Sequence, residues 1–183
     1  MILTFRNRDP MSTSLLLDLV NSRLLLADSV YDELGDDGEA SAWLRQHGLA
    51  GTPDEVADAR DVRAALVPFL RGQADAAVLG PWVGAMQRRA EVRPEGLAWI
   101  DDVDPARAVG VRAVEEWGSL QGEQGSRIRP CAAEDCQHFL IDTSRANTRK
   151  WHSMETCGNR AKARRHYAKA KQGTASGVSL PSR

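Results

Sequence analysis

No lysine occurs in the first 149 residues, and no cysteine lies outside the segment from Cys131 to Cys157. Long apolar runs are missing as well. The stretch from Leu15 to Val20 is broken by Asp18, far short of the ~20 residues that cross a bilayer. The opening residues, Met1 to Asp9, meet charge too early for a signal peptide, so the chain reads as cytoplasmic. Three cysteines cannot close a paired disulfide framework, and their spacing is of the metal-binding kind, which fits a reducing compartment. There is no internal repeat, phosphate loop, dinucleotide fingerprint or nucleophile motif. The sequence therefore argues against an enzyme, and a closed four-ligand metal site would leave no open position for water.

What is present is unevenly placed. From Ser126 to Arg183 there are 12 Lys+Arg and 4 Asp+Glu, while the preceding residues hold 12 basic and 21 acidic groups. A small basic module attached to an acidic body is the natural reading. Within the basic part, Cys131 and Cys136 are followed, after fifteen intervening residues, by His152 and Cys157, each pair separated by four residues. Zinc favours four N or S donors in a tetrahedron, and two close pairs joined by a short excursion supply them. The expected cofactor is one structural Zn²⁺ per chain on Cys131, Cys136, His152 and Cys157. His138 competes with His152 for the fourth place, although the repeated spacing favours His152.

The same stretch reads Arg129-Pro130-Cys131, then Asp142-Thr143-Ser144-Arg145, then Trp151-His152-Ser153-Met154, and then Cys157-Gly158-Asn159-Arg160. It resembles the CGNR zinc finger of bacterial proteins regarded as transcription regulators. In that family an N-terminal domain called ABATE, associated with stress-induced transcription regulation, precedes the finger. Leu17-Asp18-Leu19-Val20-Asn21-Ser22 is similar to that domain's opening motif. His152 stands where the family usually has cysteine, which leaves a legitimate ligand with one thiolate charge fewer.

The expected fold is mainly α. A helical N-terminal domain over 1–121 carries one or two short strands, and a linker follows at 122–126. A treble-clef-like zinc finger of β-hairpin and basic helix covers 127–171, with a flexible tail at 172–183. Residues 12–34 read as one amphipathic helix, 36–39 as a turn and 40–47 as a short helix stopped by Gly48. Thr52, Pro53 and Glu55 form a capping-box start for a helix to about Arg71, bent at Pro68. Residues 75–90 read as helical in part, interrupted at Gly80-Pro81. Leu97 to Ile100 suggests a strand, and Asp104-Pro105 opens a helix to about Leu120. The N-terminal domain is expected to fold without metal.

In the finger, Phe139 to Ile141 suggests a returning strand, and Cys157 falls near a helix start, where a thiolate is stabilised. Metal supplies much of the folding free energy of so small a piece. At about 100° per residue, Arg160, Arg164 and Lys171 share one side of the last helix, with Lys162, Arg165 and Lys169 nearly opposite. A helix so basic suits phosphate neutralisation, and Arg145, Arg149 and Lys150 extend the footprint. Asn159 is expected to make a local hydrogen bond. The function read from these features is a zinc-dependent, DNA-binding transcription regulator contacting double-stranded DNA. The N-terminal domain would serve a small-molecule effector or a homodimer, with no membrane role. The alternative is a zinc-stabilised protein-interaction module.

Overall fold

Two serines bound the first helix. Ser14 accepts a hydrogen bond from the Leu17 amide and Ser22 closes the far end, so α1 spans Leu15–Asn21. The computed structural model of the protein describes residues 14–25 and 28–175, with side chains through residue 168. Beyond α1 the chain turns back as an antiparallel hairpin, β1 (Arg23–Leu25) with β2 (Val30–Asp32). The single helix expected over 12–34 is therefore corrected within the described residues. A short apolar run such as Leu24-Leu25 is compatible with strand or helix on periodicity alone. Here Ser22 Oγ donates to the Leu19 carbonyl and accepts from Arg63, which ends the helix early. Positions 12, 13, 26 and 27 of that expectation lie outside the described residues.

Asp36 is an N-cap rather than part of a turn. Its carboxylate takes the amides of Gly38 and Glu39, and α2 runs Asp37–Gln46. The capping box at Thr52 forms as its residues dictate, opening α3 (Pro53–Leu70) with Pro68 inside it. Gly80-Pro81 starts a short helix, α4 (Gly80–Val83), after a 3-10 turn at Ala76–Leu79, because proline suits a first helical turn. β3 (Arg88–Arg93) then pairs with β4 (Gly96–Asp101). A 3-10 turn at Pro105–Arg107 leads into α5 (Ala108–Ser119). Among the described residues the N-terminal region thus shows four strands in two hairpins, more than the one or two expected.

The remaining elements are the strands β5 (Ile128–Pro130) and β6 (Phe139–Ile141), a π-helical turn at Met154–Gly158, and α6 (Asn159–Ala175). β5 and β6 pair antiparallel. Among the described residues the chain is mainly helical, with three separate two-stranded sheets. Positions 172–175 of the expected tail continue α6, and the rest of that tail lies outside the described residues.

The core is formed by α1, α2, α3 and α5, through Leu16, Leu19, Leu44, Val62, Leu66 and Val109, all fully buried. It does not stop at the end of α5. Ile128 of β5 and Phe139 of β6 belong to the same apolar cluster. Asn21, at the end of α1, grips β6 by accepting from the Phe139 amide (2.7 Å) and donating to its carbonyl (3.3 Å). Gln137 exchanges two hydrogen bonds with the backbone of Leu25, and Arg71 donates to the Gln137 carbonyl at 2.6 Å. The hairpin bearing the first two cysteines is thus seated on the helical body.

Candidate metal centre

Strand β5 delivers Cys131 directly, and the Cys131 amide donates to the His138 carbonyl at 2.8 Å to close the first knuckle. Cys136 sits on the turn that follows, its amide bonded to the Ala133 carbonyl. The second pair depends on the loop after β6. Asp142, fully buried, accepts from the amides of Ser144 (2.8 Å) and Arg149 (2.6 Å) and lies 3.6 Å from the Arg129 guanidinium. The Ser144 hydrogen bond, the two amides and the Arg129 charge outweigh burial and hold its carboxyl down to about 2. Arg149 then donates to the carbonyls of Trp151 and His152. This loop thereby sets the backbone that carries His152.

Asn147 adopts a left-handed backbone, φ 48°, which asparagine tolerates better than most residues. Its side chain donates to the Gln124 and Ser126 carbonyls and accepts from Arg129. Residues 122–126, expected as a plain linker, are thus tied to the loop. Ser153 caps the π-turn through the Thr156 amide, and Cys157 is buried within that turn, ahead of α6. A Cβ on Gly158 would lie 2.7 Å from the Met154 thioether and 3.3 Å from Trp151. Trp151 in turn packs against Cys131, Ala133 and Cys157.

These elements bring four donor atoms, from Cys131, Cys136, His152 and Cys157, within 4.8 Å of one another. His152 Nδ1 lies 3.3 Å from Cys136 Sγ and 3.6 Å from Cys157 Sγ. A tetrahedral zinc site, with Zn–S near 2.3 Å and Zn–N near 2.0 Å, has edges of about 3.5 Å from sulfur to nitrogen and about 3.8 Å between sulfurs. His138 is outside the set. Its ring stacks on that of His152, centroids 4.4 Å apart, with Nδ1 3.8 Å from Cys136 Sγ.

The donor chemistry fits a cation. Burial and crowding by Cys131 and Cys157 push the Cys136 thiol up to about 12, against the help of the His138 amide. Burial opposes ionisation of Cys157, yet hydrogen bonds from Cys136, Cys131, Thr156 and Arg160 bring its thiol below the ordinary value. Three thiolates this close require positive charge among them, which a divalent ion supplies. Burial, with the charges of His138, Arg149 and Arg160, lowers the His152 pKa, which favours the neutral, ligating imidazole. Four protein donors close the site, so a bound ion would be structural.

The basic side chains expected to bind DNA divide into two groups. Arg160 donates to Cys157 Sγ at 3.3 Å and pairs with Asp135 at 3.1 Å. Arg164 pairs with Asp135 (3.2 Å) and Glu134 (3.9 Å). These two arginines bind α6 to the first knuckle, and Arg149 is occupied in the loop. Arg145, Lys150, Lys162 and Arg165 are exposed, with no ion pair among the described residues. The side chains of Lys169 and Lys171 lie outside the described residues. Asn159 is exposed and its side chain makes no hydrogen bond among them, contrary to expectation.

Sequence reasoning missed Asp135, Asp142 and Asn21 as organisers. The Asp-Thr-Ser pattern of an Asx turn was the signal available for Asp142. No local pattern marks Asp135 or Asn21, whose partners are distant in sequence.

Residues 127–170 match the CGNR zinc finger family. The match contains all four donors and covers less than half of the 183 residues. No curated protein matches the chain. No helix among the described residues is long and apolar enough to cross a membrane.

Proposed function

We propose that this protein is a zinc-dependent DNA-binding transcription regulator, its finger of the treble-clef kind and its N-terminal body of the ABATE type. Zinc is the ion we assign to the Cys₃His set, on the softness of three thiols and one imidazole. One observation carries the DNA reading. Lys162, Arg165, Arg145 and Lys150 stand exposed, without an ion pair among the described residues, on a segment with eight more basic than acidic groups, beside the metal-ligand knot. Arg160 and Arg164 already have carboxylate partners, so their part is to hold α6 in place. The unpaired cations are those that would displace counterions from a duplex. No catalytic role is proposed.

The test is binding of the zinc-loaded chain to mixed-sequence duplex DNA across a salt series. Log Kobs should fall linearly with log salt, by about 0.9 for each phosphate neutralised. Lys162→Ala with Arg165→Ala should flatten that slope by up to about 1.8. No binding at low salt would reject the reading in favour of a protein-interaction module. That second reading draws on the β3–β4 hairpin, where Val92, Leu97 and Trp99 are exposed on one face.

A further inference from the structure

A groove of about 730 Å³ lies where the helical body meets the first knuckle. Four arginines line it: Arg23 from β1, Arg60 and Arg63 from α3, and Arg71 just beyond α3. Its apolar lining includes Val20, Leu25, Val67 and Phe139, and Cys136 and Gln137 stand at the knuckle side. The volume is in the range of small-molecule sites, which are mostly apolar with a few placed polar groups.

The arginines are not equally engaged. Arg63 holds Asp32 with both terminal nitrogens, at 2.6 and 2.9 Å. Arg60 is used by the Leu34 and Gly35 carbonyls and by Asp37. Arg23 is 57% exposed and has only a 3.6 Å approach to Asp32, which Arg63 already occupies. Arg71 donates through Nη2 to the Gln137 carbonyl and lies 4.8 Å above the Phe139 ring, leaving Nε and Nη1 without a partner among the described residues. Two guanidiniums therefore retain donors beside an apolar wall. The acidic groups of the lining, Glu134 and Asp135, face Arg164 and Arg160 of α6 and are compensated there. The groove has an unneutralised positive excess.

We propose that this groove binds a small organic monocarboxylate, its carboxylate held by Arg71 and Arg23 and its hydrocarbon body laid on Leu25, which is exposed, and Val67. A guanidinium fork matches a carboxylate in plane and spacing, and the apolar lining selects against a bare inorganic anion. The site touches Cys136 and Gln137, so its occupant sits against the turn that presents a metal ligand. Binding here is separate from whether the finger binds DNA, and the test contains no DNA.

The zinc-loaded full chain is titrated calorimetrically, at low salt, with benzoate, phenylacetate and octanoate, and with benzamide and inorganic phosphate as comparisons. At least one carboxylate should saturate at one per chain, with benzamide and phosphate at least tenfold weaker. Arg23→Gln, on an exposed side chain that should leave folding intact, should weaken that carboxylate about tenfold, as expected for a charged hydrogen bond. Arg71→Gln should weaken it at least as much, with zinc content and circular dichroism confirming that the knuckle stays in place. Arg89→Gln, on the β3–β4 hairpin, should change nothing. The assignment is overturned if no carboxylate saturates, if benzamide or phosphate binds equally well, or if Arg23→Gln binds like the wild type.

Discussion

Trp82 lies where a side chain at residue 110 would begin. A Cβ on Gly110 would fall 2.0 Å from the indole nitrogen, and that nitrogen donates to buried Asp58 at 2.7 Å. Neither group can give way cheaply. Gly110→Ala should cost about 1–3 kcal/mol in urea unfolding, the usual penalty for overpacking; wild-type stability would mean that Trp82 packs elsewhere. Gly158→Ala meets the flexible end of Met154, which is 52% exposed, so a loss below about 1 kcal/mol with metal retained is expected. His47 tests electrostatics at the same scale. Burial lowers its pKa, but hydrogen bonds to Asp18 and to the Trp43 carbonyl, with the Asp18 charge, outweigh burial and the Arg112 charge and raise it. A raised folded pKa stabilises fully below the unfolded value and is lost as pH rises through the folded one. Stability relative to Asp18→Asn should therefore decline above about pH 6.5, by no more than about 1.4 kcal/mol per pH unit. An unchanged difference between pH 6 and 8.5 would rule out the ion pair. The sequence shows His47 near a helix end, and its pairing with Asp18, 29 positions away, leaves no local trace.

Elements were legible where their ends carry chemistry. Thr52, Pro53 and Glu55 announce α3 because each satisfies or avoids an orphan amide of the first turn. The β1–β2 hairpin was not legible, since Leu24 and Leu25 suit either period and the arrest at Ser22 comes from Arg63, 41 positions away. In α6 the two basic faces were visible from spacing alone, but their division of labour was not. It depends on Asp135, presented by the knuckle turn. Arg160→Ala with Arg164→Ala should therefore loosen metal retention, speeding release to a chelator roughly tenfold, in line with losses of outer-sphere partners. Lys162→Ala with Arg165→Ala should leave release unchanged. Equal rates in both double variants would mean that the Asp135 pairs contribute nothing to the centre.

At the scale of the whole molecule, the charge split between body and finger is plain in the sequence, whereas the shared core is not. Ile128 and Phe139 lie within a stretch whose apolar content looks too small for a core, yet both are 2% exposed against the helical body. A chain ending after Gly122 loses both, and at about 1.5–3 kcal/mol each should be less stable than the full chain by about 3–6 kcal/mol. Matching stability would show the body to be self-sufficient. The metal ligands and the core residues Ile128 and Phe139 share one hairpin, so chelation should lower the unfolding temperature of the full chain and not of the finger alone. The finger depends on the four donors forming one closed site. Native mass spectrometry of the full chain, purified without added metal, tests this most directly. One zinc ion per chain is predicted for the wild type and for His138→Ala, with loss of the ion in His152→Ala and Cys157→Ala. Retention of zinc by Cys157→Ala, or its loss from His138→Ala but not from His152→Ala, would contradict the account.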